Sequence, residues 1–177
     1  MSTVINIFGG PGAGKSTLAA GMYFYMKTQG HSVELVTEFA KDKVWEGSTE
    51  VLKNQLYVMG KQQHRVNRLV GKVDYIITDS PILNSVVYSN CNTVKKVTKQ
   101  VFALYNNKNI FLIRSKDYVQ AGRNESEAQA HQKDKEIKSL LKELELNYSE
   151  VSYNNSNAWG VVVDLVSTVC MEEGESK

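Results

Sequence analysis

The sequence predicts a single α/β domain in which a parallel sheet is covered by helices on both faces. Short apolar or β-branched runs alternate with longer helical patterns along the chain, which is the pattern of a parallel sheet. One run, Val73–Thr78, is apolar nearly throughout, as expected of a strand buried on both faces. The 177 residues contain two prolines, no repeat and no linker, so we expect one domain over residues 1–177.

The first half of the chain supplies two strands and two helices. Thr3–Phe8 is a β-branched apolar run and is predicted to be the first strand. Lys15–Thr28 has a helical pattern that Gly30 ends, since glycine is favoured just beyond a helix. Ser32–Val36 is the second predicted strand, and Glu50–Val70 carries a long helical pattern.

The second half continues the alternation and ends in a charged tail. Its predicted elements, after the strand Val73–Thr78, are a helix over Val94–Tyr105, a strand over Asn109–Ile113, a charged helix over Ser126–Leu144, a strand over Tyr148–Tyr153 and a helix over Ala158–Met171. Residues 172–177 are expected to form a frayed tail. Ligands of such sheets bind at the carboxyl ends of the strands, so the loops there are where chemistry is expected.

Composition excludes several classes of protein. The net charge of +2 and pI of about 8.4 are too mild to imply a dedicated nucleic-acid or membrane binder, but they leave room for a local basic groove. Cys91 and Cys170 are far apart in sequence, which excludes a disulfide scaffold and a cysteine-based zinc site; both are expected to be small buried residues. No signal peptide and no apolar window of about 20 residues is visible, so we expect a soluble cytoplasmic protein.

The strongest motif lies between the first strand and the first helix. Residues 9–17 read GGPGAGKST and match G-x-x-x-x-G-K-[ST] in the required strand–loop–helix context. Glycines let backbone N–H groups approach phosphate oxygens, and the helix N-terminus favours negative charge. The motif predicts nucleoside triphosphate binding, with Lys15 on the β- and γ-phosphates and the Ser16 hydroxyl on Mg²⁺. The predicted nucleotide-binding residues are Gly9, Gly10, Pro11, Gly12, Ala13, Gly14, Lys15, Ser16 and Thr17.

Two acidic residues follow neighbouring strands at the same predicted edge. Asp79 ends the third strand and is expected to hold the Mg²⁺ shell together with Ser16; the alternative is an aspartate that caps the next helix. Glu38 follows the second strand and is the candidate base for the proton of an attacking hydroxyl; the alternative is an acid in a favourable helix dipole. Asp42 is a weaker candidate for the same role.

Arginine and glutamine residues supply candidates for phosphate and acceptor contacts. Arg123 is predicted to contact phosphates from a lid over about 117–136, for which a solvated charged helix is the alternative. Gln55, Gln62 and Arg65 lie on the helix after Glu38 and are predicted acceptor-binding residues, with ordinary surface positions as the alternative.

The order of these features resembles the nucleoside and nucleotide kinase branch of phosphate-loop proteins, above all bacterial ribosylnicotinamide kinase domains and their phage-encoded relatives. Those kinases have a Glu-Tyr-Ala-Arg-like stretch after the second strand, where this chain has Glu38–Lys41 (EFAK). Asn54–Val58 (NQLYV) is similar to the deoxynucleoside kinase helix whose glutamine reads the base. Gly122–Ser126 (GRNES) is similar to the start of a nucleotide kinase lid.

The resemblance implies a five-stranded parallel sheet of order 2-3-1-4-5, ATP and Mg²⁺ as cofactors, and Glu38 as general base. The chain departs from the pattern at Asp79-Ser80-Pro81, which lacks the arginine that deoxynucleoside kinases place beside their acid. Arg123 and lysines also stand where several lid arginines are usual.

Three functions remain open. The first is an ATP- and Mg²⁺-dependent kinase that phosphorylates a hydroxyl of a nucleoside- or nucleotide-like acceptor. The second is a kinase of the same kind that acts on hydroxymethyl pyrimidines within phage DNA, for which scattered lysines would contact the backbone. The third is a nucleotide-dependent switch or ATPase without an acceptor. The length leaves no room for the further helical domain of an AAA-type motor, and the oligomeric state is open.

Overall fold

A computed structural model describes residues 2–115 and 125–174. These residues form a five-stranded sheet of order β2-β3-β1-β4-β5 in which every neighbouring pair is parallel. The strands are β1 (Thr3–Phe8), β2 (Val33–Val36), β3 (Tyr75–Thr78), β4 (Asn106–Leu112) and β5 (Ser149–Val151). The predicted fold class and strand order are therefore confirmed.

Helices fill the connections between the strands. They are α1 (Lys15–Thr28), α2 (Phe39–Trp45), a 3₁₀ helix (Thr49–Lys53), α3 (Gln55–Asn67), α4 (Asn84–Tyr88), α5 (Asn92–Phe102), α6 (Glu127–Glu143) and α7 (Ala158–Gly174). None of the helices in the described ranges is long and apolar enough to cross a membrane.

Alternation along the central strand divides the core into two layers. Ile5 and Ile7 point to the face covered by α1 and α7, where they are fully buried. Val4 and Phe8 point to the opposite face, which is covered by α3, α4, α5 and α6. Because both faces are covered, the sheet offers its carboxyl edge as the place for a site.

Three expectations about local structure were wrong. The helix predicted over Glu50–Val70 is divided at Asn54, whose backbone is non-helical and whose side chain accepts a hydrogen bond from the Tyr57 amide as the cap of α3. Strand β4 begins at Asn106 rather than Asn109. Hydrogen bonds from Nδ2 of Asn6 in β1 to Oδ1 of Asn107 and of Asn109 hold this polar part of the strand in the sheet. Cys91 is exposed, since it precedes α5 outside the core.

Candidate active site

The loop between β1 and α1 is shaped by glycines in left-handed conformations. Gly9, Gly12 and Gly14 have φ values of 139°, 77° and 104°, which residues with a side chain rarely adopt. Gly14 also has no space for a side chain, because a Cβ there would lie 2.6 Å from the Tyr153 hydroxyl. Positive φ at these glycines is compatible with the phosphate-binding loop that the sequence predicts.

Lys15 begins α1 and lies beside the acidic groups of the site. Its ammonium donates a hydrogen bond to the Gly10 carbonyl over 2.9 Å, which holds it across the loop. Burial lowers the pKa of Lys15, and the negative charges of Glu38 and Asp79 oppose that change. Both predicted carboxylates are thus close enough to act electrostatically on the predicted phosphate-binding lysine.

Glu38 lies between β2 and α2, where the chain leaves the sheet. The side chain is half-buried. Burial raises the pKa of Glu38, the nearby Lys15 lowers it, and the charges of Asp79 and Glu125 raise it further. A carboxylate with a raised pKa is a better proton acceptor near neutral pH than an exposed glutamate.

Asp79 follows β3 and is almost completely buried, with 3% of its surface exposed. Its Oδ1 has no hydrogen-bond partner among the described residues, and neither has Oδ1 of Asn84 in the first turn of α4. A buried carboxylate oxygen without a partner is costly unless a ligand satisfies it. Hard oxygen atoms suit Mg²⁺, so Asp79 fits the predicted metal site together with the Ser16 hydroxyl.

One cavity of about 530 Å³ joins the phosphate loop to the region between α2, the 3₁₀ helix, α3 and α4. Seven of the nine predicted loop residues line it: Gly9, Pro11, Gly12, Gly14, Lys15, Ser16 and Thr17. Glu38 and Ser80 also line the cavity, and the part between the helices, here called the far part, is lined by residues such as Val44, Leu52 and Val58. The cavity therefore has room for a second group beyond the phosphate loop.

The three predicted acceptor residues occupy different positions. Gln55 lines the far part of the cavity, where its Nε2 donates to the Leu52 carbonyl over 2.7 Å. Gln62 also borders the cavity, but its amide makes several hydrogen bonds to the protein. Arg65 donates to the Thr37 carbonyl over 3.1 Å and forms an ion pair with Asp42.

Gln62 holds the chain on both sides of Glu38. Its Oε1 accepts a hydrogen bond from the Phe39 amide (2.9 Å), and its Nε2 donates to the Thr37 carbonyl (3.3 Å). The same Nε2 donates to Oγ1 of Thr78 in β3 over 3.3 Å. The side chain thus ties the segment that carries Glu38 to the strand that precedes Asp79. Its predicted role in acceptor binding stays a prediction.

Tyr88 and Glu125 were not singled out by the sequence. Both line the cavity, and the Tyr88 hydroxyl is hydrogen-bonded to the Glu125 carboxylate. Burial raises the pKa of Tyr88 well above its ordinary value, so the phenol stays protonated and donates to the carboxylate. Glu125 belongs to the GRNES stretch that resembles a lid start, whereas nothing in the sequence around Tyr88 marks it.

The predicted lid is described only in part. Arg123 lies outside the described residues, as do 116–124 as a whole. Within the predicted range, residues from Glu127 onward form the first part of α6, which begins with a capping box between Ser126 and Gln129. Asp134 of this helix contacts the phosphate loop by accepting a hydrogen bond from the Gly10 amide.

Comparisons with known proteins agree with the fold. The family model described as "AAA domain" matches residues 4–157. Two solved structures of deoxyadenosine kinase from M. mycoides are similar, each at 17% sequence identity. The one with the products dCMP and a flexible dCDP bound has a TM-score of 0.59 and covers 96% of this chain and 99% of that chain. The one with bound dATP has a TM-score of 0.60 and covers 93% of this chain and 99% of that chain.

A comparison with curated protein sequences gives no match. The family match spans most of the chain, including the phosphate loop, both predicted carboxylates, α6 and β5. The structural likeness extends to almost the full length of the kinase chains. The chain therefore belongs to the AAA domain family, and its fold is the P-loop kinase fold of the deoxyadenosine kinase structures.

Proposed function

We propose that this protein is an ATP- and Mg²⁺-dependent phosphotransferase that moves the γ-phosphoryl group to a hydroxyl of a nucleoside- or nucleotide-like acceptor. The observation that carries the proposal is the continuous cavity. It is lined by the phosphate loop, by Glu38 and by residues of α2, α3 and α4. A switch or ATPase without an acceptor needs the first part of this cavity but not the second.

Lys15 and Glu38, which both line the cavity, would have different roles in the transfer. The Lys15 ammonium would stabilise the negative charge of the transferring phosphoryl group, since a fixed cation in a site of low dielectric acts strongly on developing charge. The Glu38 carboxylate would orient the acceptor hydroxyl and take its proton. We assign Arg123, from the segment before α6, to the same phosphoryl charge.

Ser16 and Asp79 would hold the metal ion. A Mg²⁺ ion held there would supply positive charge that neutralises part of the negative charge of the phosphate groups. The partnerless Oδ1 of buried Asp79 supports this assignment, because a cation or its water shell would satisfy that oxygen. The proposed chemistry does not require Asp79 to contact the acceptor.

The acceptor class is supported by the residues that line the far part of the cavity and by the similar solved structures. The deoxyadenosine kinase structures hold dCMP, dCDP and dATP, which makes a nucleoside or nucleotide the first choice here. Gln55 in the far part of the cavity carries an amide suited to the edge of a base. Ala40 and Lys41 of the EFAK stretch line the same cavity.

The test is transfer of label from γ-labelled ATP with Mg²⁺ to a panel of nucleosides, nucleotides and hydroxymethyl-pyrimidine DNA. Label on a free nucleoside or nucleotide supports the proposal. Label confined to DNA would replace the free acceptor by a polymer, and its rate would fall steeply with salt. Release of free phosphate alone, unaffected by any acceptor, would overturn the proposal in favour of a switch or ATPase.

The Glu38→Gln variant tests the base. We expect it to bind ATP normally and to lose 10²-fold or more of the transfer rate, as is typical when a general base is removed. The matched control is Glu34→Gln in β2, whose carboxylate pairs with Lys27 on the surface. Full activity of Glu38→Gln would refute the base assignment while leaving the kinase assignment intact.

A further inference from the structure

Side chains from three later parts of the chain hold the outer side of the phosphate loop. Asp134 of α6 accepts a hydrogen bond from the Gly10 amide through Oδ1. Arg114, just after β4, donates to the Pro11 carbonyl over 2.8 Å. Tyr153, just after β5, donates to the Gly14 carbonyl over 2.8 Å. We call these three residues the loop brace.

The contact between the loop and α6 is tight. A Cβ on Gly10 would lie 2.5 Å from the Ala130 carbonyl oxygen and 2.7 Å from Oδ1 of Asp134. Gly10 and Ala13 are also the two motif residues that do not line the cavity. The motif therefore has an inner side for the nucleotide and an outer side that is built against α6.

Arg114 and Asp134 are joined directly to each other. Nε and Nη2 of Arg114 donate to Oδ2 of Asp134 over 3.1 and 3.0 Å. The side chains are only 8% and 18% exposed. Burying an ion pair costs free energy unless the hydrogen bonds of both partners are satisfied. Apolar residues of similar size in its place often give a protein that is equally stable or more stable.

The pair also bears on the charge of the site. Burial lowers the pKa of Lys15, the charge of Asp134 opposes that change and the charge of Arg114 adds to it, so both residues lie within electrostatic range of the Lys15 ammonium. Asp134 alone would place a negative charge behind a loop that has to receive phosphates. Arg114 cancels that charge while Asp134 keeps its hydrogen bond to Gly10.

We infer that Asp134 is a positioning residue that holds the phosphate loop in its binding conformation, with Arg114 as the partner that neutralises it. The inference rests on the nucleotide-binding part of the proposed function. The inward-pointing amides of such a loop repel one another, so the loop needs support from outside when it awaits its ligand. Neither Asp134 nor Arg114 is among the residues that line the cavity, so we expect the affinity for the acceptor to stay unchanged.

The experiment removes both charges together, so that the net charge does not change. In the double variant Asp134→Ala/Arg114→Met we expect binding of a non-hydrolysable ATP analogue and of inorganic tripolyphosphate, measured by calorimetry, to weaken about 10-fold or more, because charge-assisted hydrogen bonds are lost. Asp134→Asn/Arg114→Gln keeps uncharged hydrogen-bonding groups and should bind within about threefold of the original chain. The matched control is Lys99→Met/Glu143→Ala, which removes another ion pair (2.8 Å) between α5 and α6, away from the loop.

Several results would overturn the inference. One is unchanged phosphate affinity in a folded Asp134→Ala/Arg114→Met variant; another is equal weakening in the control or no rescue by the Asn/Gln pair. If Asp134→Ala/Arg114→Met does not fold, hydrogen exchange of the Gly10 amide in the original chain tests the inference instead. An amide that exchanges as fast as an exposed loop amide would show that Asp134 does not hold it, and would overturn the inference. Binding without phosphoryl transfer to any acceptor would refute the kinase proposal but not this one, whereas a chain that binds neither ligand would refute both.

Discussion

Replacing Gln62 with methionine separates two possible roles of a buried amide. The substitution keeps the length of the side chain and removes its hydrogen bonds. The Thr37 carbonyl would retain a bond from Arg65 (3.1 Å), and Oγ1 of Thr78 would retain one from the Ser80 amide (3.2 Å). The Phe39 amide would lose the partner that Gln62 supplies at 2.9 Å.

The expected cost follows from that one buried amide. A buried donor left without a partner costs about 1–3 kcal/mol, and the two remaining bonds are partly replaced, so we expect a loss of about 2 kcal/mol in the free energy of unfolding. Because Thr37 and Phe39 flank Glu38, the carboxylate also shifts. A displacement of about 1 Å at a reacting group can cost roughly 10²-fold in rate, so we expect kcat to fall 10- to 100-fold.

The assays are denaturant unfolding and steady-state phosphoryl transfer. Gln63→Met is the matched control, because Gln63 is half-buried on the same helix and its Nε2 donates to the Tyr105 hydroxyl (3.2 Å), away from Glu38. If Gln62 positions Glu38, kcat falls while the acceptor KM changes little. A raised acceptor KM with unchanged kcat and unchanged unfolding free energy would refute this reasoning and restore Gln62 as an acceptor-binding residue.

Three further predictions follow from burial and backbone geometry. Burial raises the pKa of Glu38, so the folded chain holds that proton more tightly than the unfolded chain and loses stability as the pH rises above the ordinary value of 4.5. Glu38→Gln should therefore raise Tm at pH 8, and this gain should vanish near pH 4. An equal shift in Tm at both pH values would contradict the raised pKa. Gly14→Ala should lower stability by about 1–2 kcal/mol for φ strain alone and weaken ATP binding, because of the 104° φ and the Tyr153 contact, whereas Gly60→Ala in α3, with open space around it, should add about 0.5–1 kcal/mol by denaturant unfolding. Asp79→Asn should raise the Mg²⁺ concentration for half-maximal transfer about 10-fold or more without changing metal-free ATP binding, and an unchanged metal titration would exclude Asp79 from the metal site.

The sequence carried the local features of this fold and not its long-range polar contacts. The phosphate loop is a short motif with fixed spacing, and the strands at its side are apolar runs, so both were predictable. The split at Asn54 was also visible in principle, since asparagine is a preferred helix cap.

The loop brace had no comparable signal. Asp134 and Gly10 are 124 positions apart, and Tyr153 and Gly14 are 139 apart, so no periodicity or spacing links them. Asp134 in a charged helix has the sequence environment of a surface residue, and only the packing of α6 on the loop makes it a partner. The sequence predicts Gln62 to be a polar residue on the helix after Glu38. Its hydrogen bonds to the protein were not predictable, because they depend on how β2, α2 and β3 meet.

The origin of the brace has a consequence for the order in which the site is assembled during synthesis. The phosphate loop is residues 9–17, and the groups that hold its outer side come later in the chain, from positions 114, 134 and 153. Its supporting strand β1 also pairs with β3 and β4 from much later in the chain. A nascent chain on the ribosome therefore carries the nucleotide motif long before it can hold it in shape, because contacts between distant segments close last. The segment that carries the motif is made before the segments that brace it, yet it becomes able to bind a nucleotide only after they have joined it.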